Sequence, residues 1–129
     1  MAHQTTSLKT SSLALLAAAL LATAAQADTL PIKGSYGNKD GCAYARSGES
    51  TGSEDFFLLT SEAITTAASV CTIKKLAKTD GKSFVATVSC QAEDGESDDT
   101  ARITYGPKGY TIAFTSDDST RWGPLPLCR

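Results

Sequence analysis

Cys71-Thr72-Ile73-Lys74-Lys75-Leu76-Ala77-Lys78-Thr79-Asp80-Gly81-Lys82-Ser83-Phe84-Val85-Ala86-Thr87-Val88-Ser89-Cys90 reads as one β-hairpin with a cysteine at each end. Asp80-Gly81 is a strong two-residue turn signal, because a type I′ turn needs positive φ at both central positions and Asp and Gly tolerate it. The flanks alternate as strands do. Folding about that turn sets Ile73 opposite Val88, Lys75 opposite Ala86 and Cys71 opposite Cys90. In an ideal hairpin of this length the cysteines fall at a hydrogen-bonded pair with Cα atoms about 5.5 Å apart, within disulfide range.

Upstream, Lys9, the apolar run Leu13 to Leu21 and the Ala25-Gln26-Ala27 triplet have the form of a secretory leader cleaved before Asp28. The apolar run is too short for a membrane anchor, which needs about 20 residues. Residues 28–129 are then one domain, hiding roughly 60–70% of its unfolded surface. Without Lys9, the 12 basic residues fall to 11 against 14 acidic ones, which argues against general nucleic-acid binding. The single histidine, His3, leaves with the leader. That excludes Ser-His-Asp and Cys-His catalysis and nearly all zinc sites. Neither a Ser-x-x-Lys nor a Gly-x-Ser-x-Gly motif occurs, and no cofactor is implied.

Four cysteines in an exported chain of this size read as two disulfides, since their spacing matches no Cys-x-x-Cys pattern. The hairpin register favours Cys71 with Cys90, which leaves Cys42 with Cys128. On the chain-entropy argument the shorter link is worth about 3 kcal/mol and the longer about 4.5 kcal/mol.

The remaining segments read mostly as strands. Gly34 to Gly41 is dense in turn residues, Tyr36 is expected over an open end of the sheet, and Ser47 to Ser53 reads as a surface loop. Asp55 to Thr60 is a short strand covered on both faces, Ala63 to Ala68 is a further strand, and Gln91 to Asp99 is an acidic connection. Ala101, Ile103 and Tyr105 alternate inward, then Tyr110, Ile112 and Phe114 after the turn at Gly106-Pro107. Ser116 to Ser119 is another turn. Pro124 and Pro126 make the last segment an edge strand or strap. The expected fold is all-β: six to seven short antiparallel strands in a meander, curled into a small filled barrel or a sandwich, with no amphipathic helix.

Glu93, Asp94, Glu96, Asp98 and Asp99 crowd five carboxylates into seven residues. Oxygen ligands on a glycine-containing loop suit calcium, but the order is not that of an EF-hand, and a solvated connection is the plainer reading, with no metal site assigned. In a meander, loops alternate between the two ends of the sheet. Lys78, Lys82 and Lys108 therefore gather at one end, and the acids of 91–99 and 116–119 at the other, giving a field that steers a cationic partner. Arg121 beside Trp122, the single tryptophan, has the composition of an interface hot spot, although a lid over the core is commoner. Tyr36, Tyr44 and Trp122 are candidates to line a mouth.

The layout Gly34-x-Tyr36, Cys42, the apolar strand at 55–60, Cys71-x-Ile73, Val88-x-Cys90 with acids following, and Leu127-Cys128 resembles a group of small exported bacterial four-cysteine β-domain proteins of unassigned function. That resemblance implies a compact disulfide-framed β-domain and no activity. A looser likeness is to the periplasmic inhibitors of c-type lysozyme, also small disulfide-tied barrels. Their Ser-Gly-x-x-Tyr loop is not met, since Ser47-Gly48-Glu49-Ser50 is followed by Thr51. The expectation is a periplasmic or secreted, monomeric, non-enzymatic binding module for a basic protein or a cation, with no membrane insertion after cleavage. A passive envelope or stress-related structural protein is the alternative, and a carboxylate-only hydrolase a distant third.

Overall fold

The computed structural model describes residues 26–129, so the expected leader lies, but for its last two residues, outside the described residues. Eight strands and one helix follow in the order β1 (Tyr36–Gly37), α1 (Lys39–Ser47), β2 (Phe57–Leu59), β3 (Ala63–Thr66), β4 (Ser69–Asp80), β5 (Ser83–Ala92), β6 (Gly95–Gly106), β7 (Gly109–Phe114) and β8 (Asp117–Leu125). All pairings are antiparallel, and the sheet order is the chain order from β1 to β8. The all-β meander is as expected; the strand number is eight rather than six or seven.

The two edges meet through the terminal strap. Gly37 N–H donates to Pro126 O at 2.9 Å, Cys128 N–H donates to Ser35 O at 2.8 Å, and Tyr36 bridges Leu127. The sheet is thereby a nearly closed barrel, which leaves few free backbone groups at its edges. Cys42–Cys128, with Cα atoms 5.3 Å apart, fastens the strap to α1, and Cys71–Cys90 crosses the hairpin. Both links are the expected ones.

Period-2 alternation puts Ile73, Phe84, Ala86, Val88, Ala101, Ile103, Tyr110 and Ile112 inside, joined by Leu30, Leu59 and Leu125. Tyr105 belongs to the same face but stands at the rim, 42% exposed. Leu58 and Leu59 are both buried, so β2 is covered on each side as its unbroken apolar run required. Ahead of β1, Asp28 N–H donates to Lys74 O at 3.0 Å, and an Asp28 carboxylate oxygen accepts from Leu76 N–H at 2.8 Å.

The central hairpin differs in detail. Asp80 stays in the ladder opposite Ser83, and the turn is Gly81-Lys82. Only Gly81 has positive φ there, at 59°, which fits a hairpin turn with glycine first rather than type I′. Two register shifts in β4, passing Lys74 and Ala77, absorb the displacement, so Lys75 faces Thr87 and not Ala86. Beyond them Ile73 still faces Val88 and Cys71 faces Cys90. The Cα spacing of that cysteine pair is 3.9 Å, close to a non-hydrogen-bonded pair rather than a hydrogen-bonded one.

Three further segments correct the sequence reading. Gln91 to Asp99 is no loop: only Glu93-Asp94 form the turn, and β6 begins at Gly95, with Cys90 facing Ser97 and Val88 facing Asp99. Likewise Thr115-Ser116 turn and Asp117 to Ser119 are strand. Residues 39–47 are a helix. Asn38 caps it, its side-chain oxygen accepting from Gly41 N–H at 2.9 Å, and Gly48 ends it at φ 73° with its N–H on Tyr44 O. Asp40 in the first turn and Arg46 in the last suit the helix dipole. The helix packs on β1 and β2, and Gly41 is flush against β2: a Cβ there would lie 1.9 Å from Phe57 O.

Candidate functional site

The inner face of the barrel changes character along its length. Toward the end that carries the Glu93-Asp94 and Thr115-Ser116 turns, Ile73 and Cys71 are followed by Ser69 in β4. On β6, Ile103 and Ala101 are followed by Asp99 and Ser97. Phe114 gives way to Ser116, and Trp122 is preceded by Thr120. From Cys71, Asp99, Phe114 and Trp122 outward, these side chains line an open mouth of about 210 Å3. Its floor is the Cys71–Cys90 disulfide with Phe114 and Trp122, whose rings meet edge to face at 4.9 Å. The rim is hydroxyls and the carboxylates of Asp99 and Asp117.

Both carboxylates are held by neighbours. Asp99 Oδ1 accepts from Thr100 N–H at 2.8 Å, Thr115 Oγ1 at 3.1 Å and Ser116 N–H at 3.3 Å, while Ser116 Oγ donates to Oδ2. Burial pushes the Asp99 carboxyl up, but the bonds from Ser116, Thr100 and Thr115 outweigh it and hold the group below its ordinary value. Thr120 and Ser119 hydroxyls do the same for exposed Asp117, with Ser119 Oγ at 2.8 Å. The mouth therefore presents two fixed negative charges over an apolar floor.

The sequence-predicted residues divide. Of the five carboxylates at 93–99, only Asp99 lines the mouth. Glu93 and Asp94 sit at the tip of the β5–β6 turn, and Glu96 and Asp98 point to the outer face, where Glu96 accepts from Ser89 Oγ at 2.8 Å. Strand alternation separates what a loop would have gathered. No three metal-type side chains cluster among the described residues. Arg121 and Trp122, as neighbours in a strand, face opposite ways: Trp122 packs inward on Phe57 at 5.4 Å and on Phe114, and Arg121 is exposed opposite Ala113. Tyr36 stands at the other end, edge-on to Tyr110 at 4.7 Å, and Tyr44 packs on Phe56 outside the barrel. Burial, with Tyr36 and Tyr105 adding to it, pushes the Tyr110 phenol up.

Ser69, Ser97, Ser116 and Thr120 were not singled out from the sequence, while Phe114 was read there as an inward strand residue and Asp117 as part of the acidic end. The signal was there for these four: continuing the inward alternation two residues beyond Cys71, Phe114 and Trp122 finds Ser69, Ser116 and Thr120, and four residues beyond Ala101 finds Ser97, whereas Asp117 is out of that phase.

No family model, no curated protein and no solved structure matches the chain. Two disulfides in a small domain, with no helix among the described residues long and apolar enough to cross a membrane, are consistent with an exported protein.

Proposed function

We propose that this protein is a non-enzymatic exported binding module that takes a cationic group of a basic protein at the acidic mouth of its barrel. One observation carries the reading: the inward stripe turns from aliphatic to hydroxyl and carboxylate around an aromatic floor. A lysine or arginine side chain fits such a site, its stem on Phe114 and Trp122 and its head between Asp99 and Asp117. Carboxyls kept below their ordinary values are good anions and poor general bases, which favours binding over hydrolysis.

The test is calorimetric titration of the disulfide-bonded protein with a basic protein, a c-type lysozyme among the probes. The reading expects affinity that falls with salt, a shift in Trp122 fluorescence, and at least a tenfold loss for Asp99→Asn/Asp117→Asn. Equal affinity for the double variant, or salt-independent binding, overturns it.

A further inference from the structure

We infer that the pole opposite the acidic mouth is a docking surface for an anionic phospholipid bilayer. There the Pro107-Lys108 turn meets the terminal strap, and the Gly81-Lys82 turn brings Lys82 over Tyr105. Tyr36, Tyr105, Pro107, Lys108, Pro126 and Leu127 line an open groove of about 460 Å3. Two of its large apolar members stand out in solvent, Tyr105 at 42% and Leu127 at 51% exposure. The Lys82 ammonium lies 4.8 Å over the Tyr105 ring, Lys78 is exposed on the adjoining part of β4, and Asp80 is the one acid in the two hairpin tips.

The composition selects the occupant. Tyrosine and proline with a projecting leucine, flanked by ammonium groups on long stems, match the headgroup layer of a bilayer, where rings and apolar tips sink and lysines meet phosphate. The charge layout selects the orientation. Glu93, Asp94, Asp117 and Asp118 lie at the far end of the sheet, so an anionic surface attracts one pole and repels the other. The barrel then stands end-on with its mouth facing solvent, free for the partner proposed above. The two proposals rest on opposite ends of the molecule and fail independently.

The test uses processed protein recovered from the exporting host, its N-terminus read by mass spectrometry, and co-sedimentation with vesicles. Binding is expected to phosphatidylglycerol/phosphatidylcholine vesicles and not to phosphatidylcholine alone, and to weaken with salt. Each lysine near such a surface contributes about fivefold in partitioning, so Lys82→Glu/Lys108→Glu should lose at least about 25-fold. Tyr105→Ser/Leu127→Ser should lose binding at unchanged charge. Arg121→Glu, on the outer face toward the acidic end, should not weaken binding comparably. Lipids brominated on their chains should leave the fluorescence of Trp122 unquenched. Any of four results overturns the inference: equal binding to both vesicle types, an unaffected lysine variant, Trp122 quenching, or soluble polyaspartate displacing the protein as well as vesicles do, which points to an acidic protein instead.

Discussion

Gly41→Ala sets two physical effects of opposite sign against each other. Alanine in place of glycine inside an exposed helix stabilises by about 1 kcal/mol. At residue 41, however, the new Cβ meets Phe57 O at 1.9 Å, Phe57 C at 2.7 Å and Asn38 Oδ1 at 3.2 Å. The first two are backbone atoms of β2, so α1 must withdraw by at least about 1 Å, since Cβ contacts under 3.0 Å are essentially never seen. Overpacking of this kind costs about 1–3 kcal/mol. Withdrawal also strains the bonds that Asn38 makes across the junction: Oδ1 from Phe57 N–H at 3.1 Å, Nδ2 to Asp55 O at 2.8 Å, and N–H to Phe57 O at 3.2 Å. Losing two of them costs about 2 kcal/mol more. After the propensity gain the net is a loss of roughly 2–4 kcal/mol, a fall in Tm of roughly 10–30 °C for a domain of this size. Urea unfolding with intact disulfides measures it as a lower midpoint at unchanged slope. Trp122 fluorescence should shift in the native baseline too, because Trp122 packs on Phe57. Gly48→Ala is the control: φ is 73° and nothing lies within 4 Å, so only the left-handed backbone cost of about 1–2 kcal/mol applies. A Gly41→Ala protein as stable as the parent, or more so, refutes the flush packing of α1 on β2.

Asp99 and Asp117 both have folded values below the unfolded one, so the stability they confer is present above the ordinary carboxylate range and is lost as pH falls through the folded value. Urea midpoints at pH 7, 4 and 2.5 should show a decline that Asp99→Asn flattens; an unchanged slope counts against the hydroxyl network. At neutral pH, Asp99→Ala should itself cost about 1–2 kcal/mol, because the β7–β8 turn loses the acceptor for Thr115 and Ser116. Removing one disulfide at a time should destabilise by about 3 kcal/mol for Cys71→Ala/Cys90→Ala and about 4.5 kcal/mol for Cys42→Ala/Cys128→Ala, following their separations of 19 and 86 residues. The reverse order in urea midpoints rules out the chain-entropy account. Trp122→Leu should preserve the fold by keeping an apolar floor against Phe114, yet weaken a basic partner at least fivefold in calorimetry.

The meander and its two links were legible because alternation and hairpin signals are local, and in this chain each strand pairs with its sequence neighbour. The helix was not, because Gly34, Gly37, Asn38, Asp40 and Gly41 read as turn chemistry. In fact Asn38 is a cap, Gly41 a close approach and Gly37 another, with Phe57 O 2.7 Å from a Cβ built there. Close approach is a tertiary fact, and glycine reports it only after β2 is in place. The acidic stretch failed for a different reason. Five carboxylates suggest solvent, yet Ser97 and Asp99 fall in phase with Ala101 and Ile103, and the ladder to β5 overrides composition.

Register ties these corrections to the site. A one-residue slip of a strand exchanges its faces, so a displaced β6 would put Asp98 in the mouth and send Asp99 outside. The expected turn was wrong by one residue, yet the cysteines still oppose each other, because the shifts past Lys74 and Ala77 return β4 to phase. Asp28 occupies that irregular stretch, giving its N–H to Lys74 O and taking Leu76 N–H on its carboxylate. On the far side, Cys90 lies opposite Ser97, so the bridge to Cys71 fixes β5 where β6 reads its own phase. The same disulfide is thus the floor of the mouth and the lock on which face its aspartate takes. A chain with that bridge removed that still binds a basic protein through Asp99 would show that the ladder alone holds the phase.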